Sequence, residues 1–235
     1  MQFPDRSSEE SHLILTWKTI MDWAQTHYRD RVFRKDEQIP ARPELIYLVN
    51  KGAVRLVSEA NIPQTDEISA ELDESDPEST EDIERAFLGF ISAQKPFEVL
   101  SHSVFSIQAY AHVDYTQVAW LYWQDLEQWP DFRQEIYRAF RDQHQRKLLW
   151  LSALGQRRTI DRLTSFLTLL VEEYGRENCL PYTLTHAQIG SAIGSTRVTV
   201  TRLMGKLRRQ GIISIEEDNL ICVNCIKATQ SDRPK

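Results

Sequence analysis

The chain has 235 residues, 41% of them hydrophobic and 26% charged. That is enough apolar content to bury the cores of two modest domains, and too much for a disordered chain. The formal charge of -6 argues at face value against a polyanionic partner. No apolar run reaches the roughly 20 residues that a membrane span needs. The opening MQFPDRSSEE is polar and acidic, so a cytoplasmic protein with no membrane partner is expected.

Taken in chain order, residues 11–29 set Leu13, Trp17, Ile20 and Ala24 at helical spacing. Pro40 and Pro43 then punctuate. Leu45–Val49 and Ala53–Val57 flank Asn50, Lys51 and Gly52, which reads as two short strands about a turn. Residues 59–84 follow with eleven acids and no base. Such a run reads as a solvated loop; its functional alternative is an electrostatic mimic that competes for a basic helix. Strand character returns over 86–91, 99–111 and 115–122, with Pro96 and polar clusters as turns. Residues 1–129 therefore read as an antiparallel β domain.

From Asp131 the apolar period becomes helical. Phe132, Ile136, Phe140, Leu151 and Leu154 fall at compatible positions, Pro130 suits a first turn and Gly155 an end. This long helix, 130–155, is a candidate for packing on a symmetry mate. Its middle, Arg141 to Lys147, is polar and carries no clean heptad. Residues 159–174 form a second helix with Ile160, Leu163, Leu167 and Leu170 on one face, ending at Gly175.

The last part, 156–235, carries the functional signal. Thr185 and Gln188 have the spacing of a capping box before a short helix that Gly194 ends. The following stretch, Ser195-Thr-Arg-Val-Thr-Val-Thr-Arg202, is rich in Thr and Val and has the propensity of a strand. The helical reading explains more: with Thr196 as cap, Val200, Leu203, Met204 and Leu207 form one buried stripe. Ile212–Ile215 and Leu220–Val223 then flank a turn, giving a winged helix-turn-helix. Residues 194–211 hold five bases and no acid, and outside 59–84 the chain has 28 bases against 23 acids. A second helix carrying Val198, Arg202 and Arg209 opposite its buried stripe, with Arg197 in the first turn and hydroxyls at Ser195, Thr196, Thr199 and Thr201, suits a major groove. Thr185, Gln188, Ser195, Thr196, Arg197, Val198, Thr199, Thr201, Arg202 and Lys206 are the candidate DNA-binding residues. Gly205 is read as clearing space for a neighbouring helix.

The three cysteines, Cys179, Cys222 and Cys225, suit a reducing compartment. Cys222 and Cys225 have the spacing of half a zinc site or a redox pair, but no second pair exists. They read as two thiols at a strand end, with metal or redox chemistry the weaker alternative. His102 and His112 read as polar strand histidines in preference to haem ligands. With no phosphate loop, nucleophile–base pair or metal constellation, neither an enzyme nor a cofactor is expected.

Leu184–Ile215 resembles the helix-turn-helix of the cyclic-AMP receptor protein / fumarate–nitrate regulator (Crp/Fnr) superfamily, and Gly194–Leu203 most of all its cyanobacterial global nitrogen regulator branch. Glu44–Leu56, Val118–Trp129 and Asp131–Leu154 resemble, more loosely, the first strands, last strand and dimerisation helix of that superfamily. The resemblance implies an α+β fold of N-terminal β-roll sensor domain, long dimerisation helix and C-terminal winged helix-turn-helix domain. It also implies a homodimer on near-palindromic double-stranded DNA, contacting RNA polymerase. By position Arg197 and Arg202 match the family's two DNA-contacting arginines. Val198 stands where the cyclic-AMP receptor type has glutamate, which implies half-sites of the GTA/TAC type. The family's ligand cassette of a Gly-Glu pair and an arginine is absent, since Pro96–Phe132 contains no Lys or Arg. The nitrogen regulator's 2-oxoglutarate residues on the long helix fall near Gln143 and Leu148, where neither an arginine nor a glutamate stands. A buried anion there would lack a cation. The expectation is a regulator that answers to neither cyclic nucleotide nor 2-oxoglutarate. The rival reading is an interaction module whose sensor domain and acidic loop bind a partner regulator, with DNA binding secondary.

Overall fold

The chain packs as two units in a computed structural model that describes residues 6–60, 85–99 and 105–224. The first unit gathers most of the β structure and the chain up to His144. The second gathers 85–87 and the chain from Gln145.

In the first unit, helix α1 (Arg6–Thr26) precedes eight strands: β1 (Asp30–Phe33), β2 (Gln38–Ile39), β3 (Leu45–Lys51), β4 (Ala53–Ala60), β5 (Arg85–Ser92), β6 (Lys95–Phe97), β7 (Phe105–Ala111) and β8 (Thr116–Tyr122). They form two four-stranded sheets, β1-β8-β3-β6 and β2-β7-β4-β5. Between them lies a core that includes Phe33, Ile39, Tyr47, Val49, Val54, Leu56, Ile91, Phe97, Ala109 and Val118. Tyr47 stacks on Phe97 with ring centroids 5.0 Å apart. Its hydroxyl accepts from Arg42 N at 2.8 Å and donates to Pro40 O at 3.2 Å. Burial raises its pKa above the ordinary tyrosine value.

Strand β3 is buried on both faces, which is why Leu45–Val49 reads as an unbroken apolar run. Leu45, Tyr47 and Val49 enter the sandwich core. Ile46 and Leu48 face Trp17, Ile20, Met21 and Ala24 of α1. That second cluster also takes Leu126, Phe132 and Ile136. Trp17 adds an indole hydrogen bond to Asn50 Oδ1 at 3.1 Å.

Several expectations need correction. The two strands expected about Gly52 are present, but they do not pair with each other: β3 lies in one sheet and β4 in the other. The turn passes between sheets, and Gly52 (φ +83°) comes so near Thr116 that a Cβ would lie 2.6 Å from its Oγ1. Pro96 is not a turn residue. It sits in β6 opposite Leu48, at a sheet edge where a missing N–H is tolerated. The turn before it holds Gln94 at φ +61°. The strand expected over 99–111 begins at Phe105, and 100–104, with His102, lie outside the described residues. Glu59 and Ala60 complete β4 and Arg85 opens β5, so the acidic run's first residue is structured; 61–84 also lie outside the described residues. His112 is not in a strand. It follows β7, is buried, and its ring lies 4.5 Å from that of Phe90.

Helix α2 (Pro130–Leu154) changes character along its length. Phe132 and Ile136 are buried against the first unit, and Gln143 Nε2 donates to Pro96 O at 2.9 Å. Leu151, expected on the buried face, is 62% exposed, with Leu148 and Leu149 exposed beside it.

The second unit contains α3 (Thr159–Tyr174), α4 (His186–Ile193), α5 (Arg197–Arg209) and the hairpin of β9 (Ile213–Ile215) with β10 (Ile221–Val223). Leu163, Phe166, Leu167, Leu170 and Val171 give α3 its buried face. Gly175 ends α3, but in extended conformation rather than the left-handed one. A Cβ there would lie 2.3 Å from Val171 O, so close approach and not positive φ requires the glycine. Sandwich, long helix and winged helix-turn-helix are thus present as expected.

Candidate nucleic-acid interface

The Thr-rich segment is a helix. Thr196 is extended (φ -82°, ψ 154°) and its hydroxyl accepts from Thr199 N, which starts α5 at Arg197. Val200, Met204 and Leu207 are buried, and Leu203 is half-buried. β-branched residues weaken a helix by only a few tenths of a kcal/mol each, whereas burying an aliphatic side chain stabilises by about 1.5–3 kcal/mol. The packing therefore decides.

The helix before it is fixed by its caps. Thr185 Oγ1 accepts from Gln188 N at 3.1 Å, and Thr185 N donates to Gln188 Oε1 at 3.0 Å. Gly194 ends α4 in the left-handed region (φ +62°). Two features escaped the sequence reading. Gly190 lies so close to the turn that a Cβ would sit 2.6 Å from Ser195 O, a proximity that shows only once two helices are placed. Arg162 binds α3 to the end of α4: its Nε donates to Ile193 O at 3.1 Å. It also donates to Gln156 O and Thr159 Oγ1, both at 3.2 Å.

The outer face of α5 carries Val198, Arg202 and Lys206 in one row at i, i+4 and i+8, all exposed, with Val198 at 76%. Arg197 and Thr196 are exposed in the first turn, while Ser195 and Thr199 are half-buried. No acid lies between Gly194 and Gly211. Arg197, Val198, Arg202 and Lys206 are thus exposed on a helix that carries no acidic residue. Thr185 and Gln188 lie at the start of α4 with the groups named above engaged in the cap. Gly205 contradicts its expected role, because a Cβ there meets nothing within 4 Å.

The hydroxyl of Thr201 is engaged within the unit. Its Oγ1 donates to Arg197 O at 2.9 Å. The single hydroxyl proton is then used, so at the 2.8 Å contact with His186 Nδ1 the ring must be the donor. This assigns the Nδ1–H tautomer to neutral His186 and ties the first turn of α4 to α5. Partial burial, and then the positive charge of Arg197, lower the His186 pKa below the ordinary histidine value. No sequence motif marks this histidine; it is found by where α4 and α5 cross.

The wing places the cysteines. Cys222 in β10 is 3% exposed and is disulfide-bonded to Cys179 in the segment between α3 and α4. Cys222 is therefore not a thiol paired in role with Cys225, which lies outside the described residues. Among the described residues no group of three or more His, Cys, Asp or Glu could hold a metal, and no helix is long and apolar enough to cross a membrane.

Residues 161–227 match the Crp-like helix-turn-helix domain family. The chain is 36% identical over 86 residues to a global nitrogen regulator of Synechococcus elongatus, covering 35% of this chain and 39% of that protein. It is 32% identical over 111 residues to a global nitrogen regulator of Synechocystis sp., covering 46% and 49%. The chain thus spans less than half the length of either relative. Its fold resembles a cyclic nucleotide-binding-domain-containing protein from Listeria monocytogenes, at a TM-score of 0.63 and 13% identity over 88% of this chain and 97% of that one.

Proposed function

We propose that this chain, whose residues 161–227 match the Crp-like helix-turn-helix domain family, is a dimeric transcription regulator of the Crp/Fnr type that reads near-palindromic GTA/TAC-type sites with one α5 per half-site. The observation that carries this is the outer face of α5: acid-free, with Arg197, Val198, Arg202 and Lys206 exposed over a buried stripe of Val200, Met204 and Leu207. Arginine donates to guanine O6 and N7 in pairs, and valine touches a thymine methyl where a carboxylate would accept from cytosine N4. Lysine and the first-turn hydroxyls supply phosphate contacts, which position without specifying. A two-fold dimer needs half-sites about one helical turn apart, which an eight-base spacer provides.

The effector follows from the sandwich. Its interior is filled by Tyr47, Phe97 and their neighbours, and Pro96–Phe132 supplies no cation. Gln143 spends its amide on Pro96 O. These features support a regulator set by something other than cyclic nucleotide or 2-oxoglutarate, and neither compound is expected to raise the melting temperature.

The deciding experiment is a mobility shift on a GTA-N8-TAC duplex, with Arg202→Ala as the variant. Wild type binds the duplex over a scrambled one, and Arg202→Ala loses about 1–3 kcal/mol of that preference. Equal binding to both duplexes by wild type excludes sequence-specific reading. Site selection that returns TGTGA-type half-sites excludes the role given to Val198.

A further inference from the structure

We propose that Cys179 and Cys222 form a reversible disulfide clasp that sets the DNA affinity of the second unit through thiol–disulfide exchange with low-molecular-weight thiols and disulfides. The proposal rests on the DNA-binding reading above and adds a control that the reading does not contain.

The backbone presents the two sulfurs to each other. Leu180 N donates to Ile221 O at 2.8 Å and Val223 N to Asn178 O at 2.9 Å. Residues 178–180 therefore run beside β10 as an isolated antiparallel bridge, on the side away from β9. Cys179 and Cys222 sit opposite between those two bonds as an antiparallel bridge pair. In such a non-hydrogen-bonded pair the side chains approach most closely. The hydrogen bonds on either side do not involve the sulfurs, so the pairing that brings the thiols together survives the loss of the covalent bond. A protein that acts on DNA works where thiols are kept reduced, and a disulfide there is normally transient.

Access is one-sided. Cys179 is half-buried at the surface and Cys222 is 3% exposed, so exchange starts at Cys179. On oxidation, the Cys179 thiolate attacks one sulfur of a low-molecular-weight disulfide, forming a mixed disulfide and releasing one thiolate. The Cys222 thiolate then attacks Cys179 Sγ, forming the protein disulfide and expelling the second thiolate. The protein dithiol loses two electrons, the small disulfide gains them, and the two protons end on the two released thiols. Reduction runs the same steps backwards.

The clasp closes a loop from 179 to 222 that contains α4, α5 and β9, the whole DNA-reading apparatus. At the base of the wing Asn224 N donates to Ile212 O at 2.8 Å and Asn224 Nδ2 to Gly211 O at 3.2 Å. With the disulfide formed, wing and helices are held as one body, and less ordering remains to be done on the duplex. The oxidised form is therefore the tighter binder.

The test uses the full chain equilibrated in glutathione buffers from reducing to oxidising. Free thiols are alkylated and peptides mapped, in parallel with mobility shifts on the GTA-N8-TAC duplex. A 179–222 linkage is expected that forms and is lost reversibly, with several-fold tighter duplex binding in the oxidised state. Cys179→Ser and Cys222→Ser stay at the reduced affinity in every buffer, and Cys225→Ser keeps the full response. The proposal is overturned if the 179–222 linkage never forms, if it resists reduction in the folded protein, if affinity is equal with and without it, or if Cys225→Ser loses the response. Failure of wild type to bind the duplex in either state sinks the DNA-binding reading and the affinity claim with it. The mapped linkage decides the exchange chemistry independently.

Discussion

At Gly205, midway along α5, a Cβ would meet no atom within 4 Å. The residue therefore carries the helix penalty of glycine, about 1 kcal/mol relative to alanine, without a packing reason inside the unit. Gly190 is the opposite case, since its Cβ would strike the carbonyl of Ser195 at 2.6 Å, and backbone cannot swing aside as a side chain can. Gly205→Ala should raise the melting temperature by an increment worth about 1 kcal/mol. Gly190→Ala should lower it and open the turn between α4 and α5. Paired thermal scans check both, and a Gly205→Ala that destabilises would show an unrecognised contact at that position. Composition alone cannot separate these glycines. Gly194, at the end of an apolar period, was legible because a left-handed cap has a sequence position; Gly190 and Gly205 differ only in what three-dimensional packing brings near them.

His186 shows how an element junction acquires a property that neither helix has alone. It stands in the first turn of α4 and donates from Nδ1 to Thr201 of α5, with burial and Arg197 both opposing its protonation. The folded pKa is depressed, so the unfolded chain takes up the proton more readily than the folded one. The sign follows: this group favours folding above the ordinary histidine range, and the contribution is lost as pH falls through the ordinary value towards the lower folded one. Between pH 7 and pH 5 wild type should lose more thermal stability than His186→Gln. Equal losses would mean that His186 does not sense the junction. Most elements here were readable in advance, because α3, α4 and α5 have sustained apolar periods and marked ends. What could not be read was partnership: β1 and β2 are too short to show a pattern, and nothing local says that the strands flanking Gly52 join different sheets. The pairing of Cys222 with Cys179, 43 residues away, was hidden by the nearer Cys225.

For the whole molecule, the C-terminal end of α2 groups three exposed leucines, Leu148, Leu149 and Leu151. Leu148 (53%) and Leu151 (62%) lie at i and i+3 on one side of the helix, with Leu149 adjacent. Leucines grouped in this way on a surface mark an interaction site more often than isolated ones do. They lie C-terminal to the polar run Arg141–Lys147, so a helix pairing built on them is short and apolar at one end only. Were the proposed dimer to pair at this end and bring two copies of α5 to one duplex, the affinity for a two-half-site duplex would exceed that for one site by effective concentration. Replacing both Leu148 and Leu151 by Asp should convert the protein to a monomer in sedimentation velocity. The variant should bind the GTA-N8-TAC duplex no more tightly than a single half-site, while its melting transition in the second unit stays near wild type. Halving the number of neutralised phosphates should also flatten the dependence of affinity on salt by about half. A variant that remains dimeric, or a monomer that still prefers the double site, would place the symmetric contact elsewhere on the chain.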